Sequence, residues 1–151
     1  MGDFISVSVD SKAFESTMKA LKQTTKNLAP AFRSFGEFMT KETHNNYERE
    51  STPEGQKWEP LKPATLARKK GKGILREKLI MFNAFYYKAT NDGFEMGIKD
   101  PKYSFHHDGT DRMAARPVLG ITNEQRGELN SMVRLQIKRV RGGKNRAPGK
   151  R

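Results

Sequence analysis

The stretch that decides the fold is NAFYYKATNDGFEMGIKD, residues 83–100. An aromatic run ends at Thr90, the turn signal Asn91-Asp92-Gly93 follows, and a run that alternates apolar and polar residues comes after it. Asp-Gly between two such runs predicts a β-hairpin, because Gly tolerates the positive φ that tight hairpin turns need. Farther along, residues 115–120 read ARPVLG and predict a third strand. Its Pro117 belongs at a sheet edge or a strand start, because proline has no N–H to donate.

N-terminal to the hairpin, the sequence predicts one strand and two long helices. Ile5, Val7 and Val9 alternate with serines, as in a short half-buried strand. A helix capped by Asp10 or Ser11 follows, with one narrow apolar stripe made of Phe14, Met18, Leu21, Thr25 and Leu28. Pro30 suits the first turn of a second helix, which should fade before Pro53. The inner face of this second helix is predicted to be Phe32, Phe35, Met39 and Tyr47.

A last helix is predicted after the Arg-Pro strand. Thr122 to Gln125 fit a capping box, in which Thr122 caps the helix and Gln125 reaches back to it. The predicted end is Gly142-Gly143, because glycine commonly terminates helices. The apolar face consists of Leu129, Met132, Val133, Ile137 and Val140.

Together these patterns predict a single α+β domain over residues 1–141, followed by a basic disordered tail over residues 142–151. We expect a small, mainly antiparallel sheet built from the N-terminal strand, the hairpin and the Arg-Pro strand. Two long N-terminal helices and a C-terminal helix should cover it. Residues 51–73 form a long Pro/Gly/Lys-rich loop with at most one short helix near residues 64–70.

The positive charge of the chain is unevenly placed. The 151 residues carry a formal net charge of +12, and no acidic residue follows Glu128. A second basic cluster occupies residues 68–72. This asymmetry indicates a polyanionic partner or an acidic protein surface, the alternative being a solvated tail that only aids solubility. The candidate polyanion contacts are Arg68, Lys69, Lys70, Lys72, Arg139, Arg141, Lys144, Arg146, Lys150 and Arg151.

Composition excludes several classes of protein. Apolar residues make up 34% of the chain and charged residues 30%, so the core must be lean or completed by a neighbouring molecule. The absence of cysteine excludes a disulfide framework and a Cys-ligated zinc site. We see no signal peptide and no run approaching the ~20 apolar residues of a membrane span.

The sequence also argues against an enzyme. His106-His107-Asp108 is the one place for a metal or acid–base site, but adjacent histidines do not face one ligand position, and the spacing His-Glu-x-x-His is absent. The residues show neither a nucleophile elbow nor a phosphate-binding loop. We therefore expect no catalytic residue, no metal and no cofactor, and we assign one histidine to packing and the other to a surface or subunit contact.

Two further positions require an explanation. Trp58 stands in a charged Pro/Gly loop, and its ring either folds back as the anchor of that loop or docks on a neighbouring subunit. Arg116 precedes Pro117 and is free to pair with a carboxylate or with a cluster of carbonyl groups. As shapers of a subunit or partner contact, we predict Trp58, Tyr103, His106, Arg116 and Pro117.

The motifs together resemble the phage virion morphogenesis family, the tail-completion or head-to-tail joining proteins of Mu-like and P2-like tailed phages. The resemblance rests on PEGQKWEPL at residues 53–61, YSFHHDG at residues 103–109 and ARPVLGI at residues 115–121, in that order. It is collinear over roughly residues 1–140. Two departures are that Asp108 stands where relatives commonly have Gln, and that residues 76–79 lack a Gly that often precedes the hairpin.

The resemblance implies a structural role in virion assembly without catalysis. It implies a ring, expected to be a hexamer, at the virion neck, with assembly in the host cytoplasm. The expected partners are other copies of the chain, the connector or head-closure proteins, the tail terminator or tube proteins, and packaged DNA through non-specific contacts. The alternative is a non-specific nucleic-acid-binding protein that uses the basic C-terminal helix and tail, although no helix-turn-helix or zinc module is visible.

Overall fold

The computed structural model describes residues 6–8, 27–71 and 73–144, with the backbone alone for residues 6–8 and 141–144. The predicted first helix and most of the basic tail lie outside these residues. The elements in chain order are β1 (Ser6–Ser8), α1 (Ala29–Arg49), α2 (Pro63–Arg68), α3 (Ile80–Asn83), β2 (Phe85–Ala89), β3 (Phe94–Ile98), α4 (Tyr103–Asp108) and α5 (Asn123–Lys144). The chain is therefore α+β, as the sequence predicts. Within the described ranges, neither long helix is apolar enough to cross a membrane.

The sheet has three antiparallel strands with β3 at its centre. β1 pairs with β3 from Ser6 opposite Gly97, and the β2–β3 hairpin closes at Ala89 opposite Phe94. The hairpin is confirmed, but its turn differs from the predicted one. Gly93 does not adopt a positive φ. Instead the Thr90 hydroxyl accepts hydrogen bonds from the Asp92 and Gly93 amides, each at 3.2 Å.

α1 is the central element of the core. Its predicted inner face of Phe32, Phe35, Met39 and Tyr47 is fully buried. The helix packs against β2 and β3 on one side and against α5 on another. Pro30 lies in its first turn, and the hairpin turn caps it, because the Ala29 amide donates to Asn91 Oδ1 at 3.0 Å.

α5 begins as predicted and ends later than predicted. The capping box is present: the Gln125 amide donates to Thr122 Oγ1 at 3.2 Å, and the Thr122 amide donates to Gln125 Oε1 at 3.0 Å. The helix does not stop at Gly142-Gly143 but continues to Lys144. Its buried residues Leu129, Val133 and Ile137 belong to the predicted apolar face, and α5 packs chiefly against α1. The C-terminal helix therefore packs chiefly on α1, and α1 in turn packs against the sheet.

The Arg-Pro strand is the main error of the sequence prediction. Residues 114–122 belong to no strand, and residues 103–108, a short polar-aromatic segment for which the sequence predicted no helix, form α4. Pro117 has no N–H for a ladder, and side chains pair the buried backbone groups beside it, as described below. The long loop contains one short helix, α2, close to its predicted position.

Gly36 tests the contact between α1 and the sheet. A Cβ at this position would overlap the Tyr87 ring, whereas a Cβ on Gly127, in the exposed part of α5, would meet nothing within 4 Å. Ala is favoured over Gly in a helix by about 1 kcal/mol, but overpacking a buried contact costs about 1–3 kcal/mol. We predict that Gly36→Ala lowers the free energy of unfolding in urea by about 1–2 kcal/mol and that Gly127→Ala raises it by about 0.5–1 kcal/mol. Stabilisation by both substitutions would contradict the close approach of α1 to β2.

Candidate functional site

Residues 114–122, which we call the Arg-Pro segment, lead into α5 and are partly buried. Arg116, Val118 and Leu119 are buried, and the segment belongs to no strand. Its buried backbone polar groups therefore need other hydrogen-bond partners. Here side chains from three other parts of the chain supply them.

Trp58 holds the segment from the side of the long loop. The loop folds back on itself through a bridge between Ser51 and Lys57, and the Trp58 amide donates to the Glu50 carbonyl at 2.8 Å. The Trp58 side chain is 5% exposed, and its indole Nε1–H donates to the Pro117 carbonyl at 3.0 Å. The ring also packs edge-on against Tyr47 with centroids 6.1 Å apart. Of the two alternatives for Trp58, the loop anchor is confirmed.

Arg116 holds the same loop from the opposite direction. Its side chain is 6% exposed, and its Nε and Nη2 donate to the Glu59 carbonyl at 3.2 and 2.9 Å. Nη2 also lies 3.4 Å from the Pro60 carbonyl. Arg116 therefore pairs with carbonyl groups, the second of its two predicted options. Its planar fork of donors suits this arrangement, because two N–H groups reach one oxygen together.

Tyr103 and α4 form the third support of the segment. The Leu119 amide donates to the Tyr103 hydroxyl at 3.0 Å, and the Arg116 amide donates to the His106 carbonyl at 2.6 Å. Tyr103 Oη also lies 2.9 Å from His107 Nδ1. When the neutral imidazole is protonated on Nε2, Nδ1 accepts a hydrogen bond from the Tyr103 hydroxyl. Tyr103 is 1% exposed, and burial raises its pKa above the usual value for a phenol. A phenol so buried positions the backbone and has no access to a substrate.

His106 is the partly exposed member of the group. Burial lowers its pKa, the Arg116 guanidinium lowers it further, and Asp100 acts in the opposite direction. Its Nδ1 is buried and has no hydrogen-bond partner among the described residues. His44 lies elsewhere, stacked on Phe82 with centroids 4.1 Å apart. In the described part of the chain, no three His, Cys, Asp or Glu side chains are placed to hold a metal ion.

The structure thus brings the five predicted contact residues together around one segment. Three of the side chains, those of Trp58, Tyr103 and Arg116, are buried and hydrogen-bonded within the protomer. Any effect of these residues on a partner therefore acts through the backbone that they position. Their role at a subunit or partner contact stays a prediction. Sequence reasoning missed Asn46, which is buried on α1 and donates from Nδ2 to the Val118 carbonyl at 3.1 Å. Its spacing from Met39 and Tyr47 on the inner face is the signal that could have found it.

The predicted polyanion contacts divide between described and undescribed parts of the chain. Arg68 and Lys70 are exposed at the end of α2, Lys69 is half-buried, and Arg139 is exposed on α5. Arg141 and Lys144 lie in the last turn of α5, where the backbone alone is described. Outside the described residues lie Lys72, Arg146, Lys150 and Arg151. Arg68 and Lys69 border a groove with His106 at its other side.

Arg116 provides the sharpest test of how the segment is held. Arg116→Ala leaves two carbonyls without donors and should lower the free energy of unfolding by about 3 kcal/mol. Arg116→Lys keeps the charge but loses the fork, so we expect about half that loss. Arg112→Ala, at an exposed position nearby, is the matched control and should change stability by less than about 0.5 kcal/mol. Urea unfolding of the three variants measures these values, and a lysine variant as stable as the wild type would contradict the account.

His106 predicts a pH dependence. Because its pKa in the folded chain lies below the ordinary value of 6.5, the unfolded chain binds the proton more readily. The stability contributed by the neutral ring is therefore present above pH 6.5 and is lost as the pH falls through the folded-state pKa. We expect an NMR titration midpoint for His106 below 6.5, and a fall in stability between pH 7.5 and about 5.5 that is smaller in His106→Gln. A midpoint at or above 6.5 would contradict the prediction.

Comparison with known proteins gives one match. The model of the phage virion morphogenesis family matches residues 9–138, a range that contains the long loop, the hairpin, α4, the Arg-Pro segment and most of α5. Comparisons with curated proteins and with solved structures gave no match. The family match covers well over half of the chain, and it includes the described residues whose contacts with the Arg-Pro segment are given above. This chain therefore belongs to the phage virion morphogenesis family.

Proposed function

We propose that the chain is a tail-completion or head–tail joining protein that forms a ring at the neck of a phage particle, between the portal-side connector and the tail. The observation that carries this proposal is the family match over residues 9–138, which gives the chain a structural role in phage assembly. The finer role follows from the resemblance of the Trp58 loop and the Arg-Pro segment to tail-completion proteins. In the structure these two motifs contact each other directly through the bond from Trp58 to Pro117.

The surface suits a protein that works by contact with neighbours. Several large apolar side chains are more than two-fifths exposed, namely Leu66, Leu79, Ile80, Phe105 and Leu135. Exposed apolar groups mark interaction surfaces where they are contiguous, and Leu79 and Ile80 are adjacent and line the same groove. Contacts between identical copies must close by rotation, because a head-to-tail contact that does not close produces filaments. A hexamer would match the symmetry of a sixfold tail tube.

The surplus positive charge of the chain is consistent with a position at the neck of the particle. Each copy carries +12, so a ring of copies repels itself unless anions lie nearby. We assign the basic end of α5 and the tail beyond it to packaged DNA or to an acidic connector surface. Contacts with phosphate would be non-specific and would weaken steeply with added salt. The remaining partners in this proposal are the connector or head-closure proteins and the tail terminator or tube proteins.

Disruption of the reading frame in its phage tests the proposal. We expect DNA-filled heads and separate tails to accumulate in electron micrographs, with infectivity restored by the wild-type gene supplied in trans. Normal joining of heads and tails without the protein would refute the neck assignment.

A second arm of the same experiment tests the basic tail. Complementation by a chain that ends at Gly142 should give fewer joined particles or particles that lose DNA, because eight basic residues follow Glu128 and half of them lie beyond this point. The control replaces residues 143–151 by an uncharged sequence of equal length. Full infectivity from the shortened chain would show that the tail makes no required contact.

A further inference from the structure

A groove of about 520 Å³ lies between α2, the turn before α3 and the start of α4. We call it the basic groove, because four cationic side chains line it, Arg68, Lys69, Lys78 and Lys102, against two carboxylates. Both carboxylates already accept backbone hydrogen bonds: Glu77 Oε1 from the Lys70 amide at 3.4 Å and Asp100 Oδ1 from the Lys102 amide at 2.9 Å. Within the described ranges, Lys69, Lys78 and Lys102 have no ion pair, and the four cations and two carboxylates give the groove a formal net charge of +2.

The basic groove also exposes apolar side chains. Leu79 is 45% exposed and Ile80 is 63% exposed at its edge. Leu75 and Leu79 hold left-handed φ values of 61° and 53°, which are unfavourable for branched side chains. Leu75 packs partly against the core, whereas the turn holds Leu79 exposed at a cost in free energy, and backbone strain of this kind is found at functional sites.

A second groove, of about 760 Å³, has the opposite charge. It lies between α1, the loop tip at residues 53–55 and the first turns of α5. Four carboxylates line this acidic groove, Glu42, Glu54, Glu124 and Glu128, with Arg49 as the single cation. Phe38 and Ile121 supply half-buried apolar surface. The chain has a net charge of +12, so the negative charge of this surface is opposite in sign to that of the whole chain.

The two grooves lie on different sides of α1. Glu42 lines the acidic groove, and His44, two residues later, points about 200° away around the helix axis. His44 stacks on Phe82 of α3, and the neighbouring residues Ile80 and Met81 line the basic groove. The grooves share no lining residue.

We propose that the basic groove of one copy binds the acidic groove of the next, so that the two surfaces form the head-to-tail contact of the ring. The chain carries both halves of a charge-complementary pair on two different surfaces, which a heterologous contact between identical copies requires, and such a contact makes a ring when its rotation closes. The inference rests on the proposed function only in assuming a ring. It assigns Arg68 and Lys69 to a neighbouring copy, which leaves the C-terminal basic residues for DNA.

Charge reversal on each face tests the pairing. One variant, Lys78→Glu with Lys102→Glu, makes the basic groove acidic, and the other, Glu54→Lys with Glu128→Lys, makes the acidic groove basic. All four side chains are exposed, so both variants should fold, as circular dichroism would verify. Size-exclusion chromatography with light scattering should show a wild-type oligomer that weakens with salt and at least about 30-fold weaker self-association for each variant.

Restoration of the oligomer by mixing is the decisive result. Equal amounts of the two variants should assemble again as alternating copies, since each contact then joins one acidic and one basic surface, and a chain with all four reversals should assemble alone. Arg134→Glu with Lys138→Glu and Glu37→Lys with Glu48→Lys, all exposed outside the grooves, are the matched controls and should leave assembly unchanged. Folded variants that stay apart when mixed, or that assemble alone like the wild type, would overturn the inference.

Cross-linking gives a second measurement that is independent of charge. The chain contains no cysteine, so Lys78→Cys and Glu128→Cys place single thiols at known positions. The two variants should form a disulfide when mixed, and neither should do so alone. A wild-type protein that is monomeric at high micromolar concentration in low salt, with no cross-link, would overturn the inference and would indicate that the grooves bind other proteins. Failure of the proposed function appears separately, as normal joining of heads and tails when the gene is disrupted.

Discussion

The described structure depends on how the Arg-Pro segment satisfies its buried backbone without a neighbouring strand. The Pro117 carbonyl accepts a hydrogen bond from the Trp58 indole, and the Val118 carbonyl accepts one from the Asn46 side-chain amide. The Leu119 amide donates to the Tyr103 hydroxyl. Arg116 completes the set by donating to the Glu59 and Pro60 carbonyls. These contacts connect α1, the long loop, α4 and α5, which a three-stranded sheet beside one helix would otherwise leave loosely joined.

The same contacts explain how the loop of residues 51–73 is held in a chain with few apolar residues. A loop of this length gains little from its own side chains, since Trp58 is its one large aromatic group. The indole and the Arg116 fork hold it from two directions, and Glu50 adds a third contact by accepting a hydrogen bond from the Ile74 amide at 2.7 Å. As a consequence, α2 and the turn before α3 have defined positions, and the basic groove lies between them.

Local signals in the sequence predicted local structure well. The inner face of α1, the α5 capping box and the hairpin follow from periodicity, capping chemistry and turn residues close together in the chain. Residues 115–120 have a strand-like composition, but Pro117 and the demands of distant side chains keep them out of the sheet. The helical state of α4 was missed because Tyr, Ser, Phe, His and Asp are weak helix formers, and the contact from the Arg116 amide to the His106 carbonyl that supports it spans ten positions.

The sequence predicted which residues belong to the site but not how they are arranged. The sequence predicts five contact residues from separate motifs, and the structure places them in or around one segment: Trp58, Tyr103, His106, Arg116 and Pro117. Their burial could not be read from the sequence, because it depends on which carbonyls the fold leaves unpaired. The proposed pairing of a basic with an acidic groove could not be predicted from the sequence either, since the lining residues come from six separate parts of the chain. Family membership supports the role in phage assembly, and the proposed groove pairing assigns the contacts between copies to named surfaces.

Native-state hydrogen exchange of the Arg116 and Leu119 amides tests the central claim most directly. If side chains hold the Arg-Pro segment as described, these two amides exchange only when the whole domain unfolds, with the same protection and the same denaturant dependence as core amides of α1. Exchange of Arg116 and Leu119 through a local opening with little denaturant dependence, while α1 remains protected, would contradict the account.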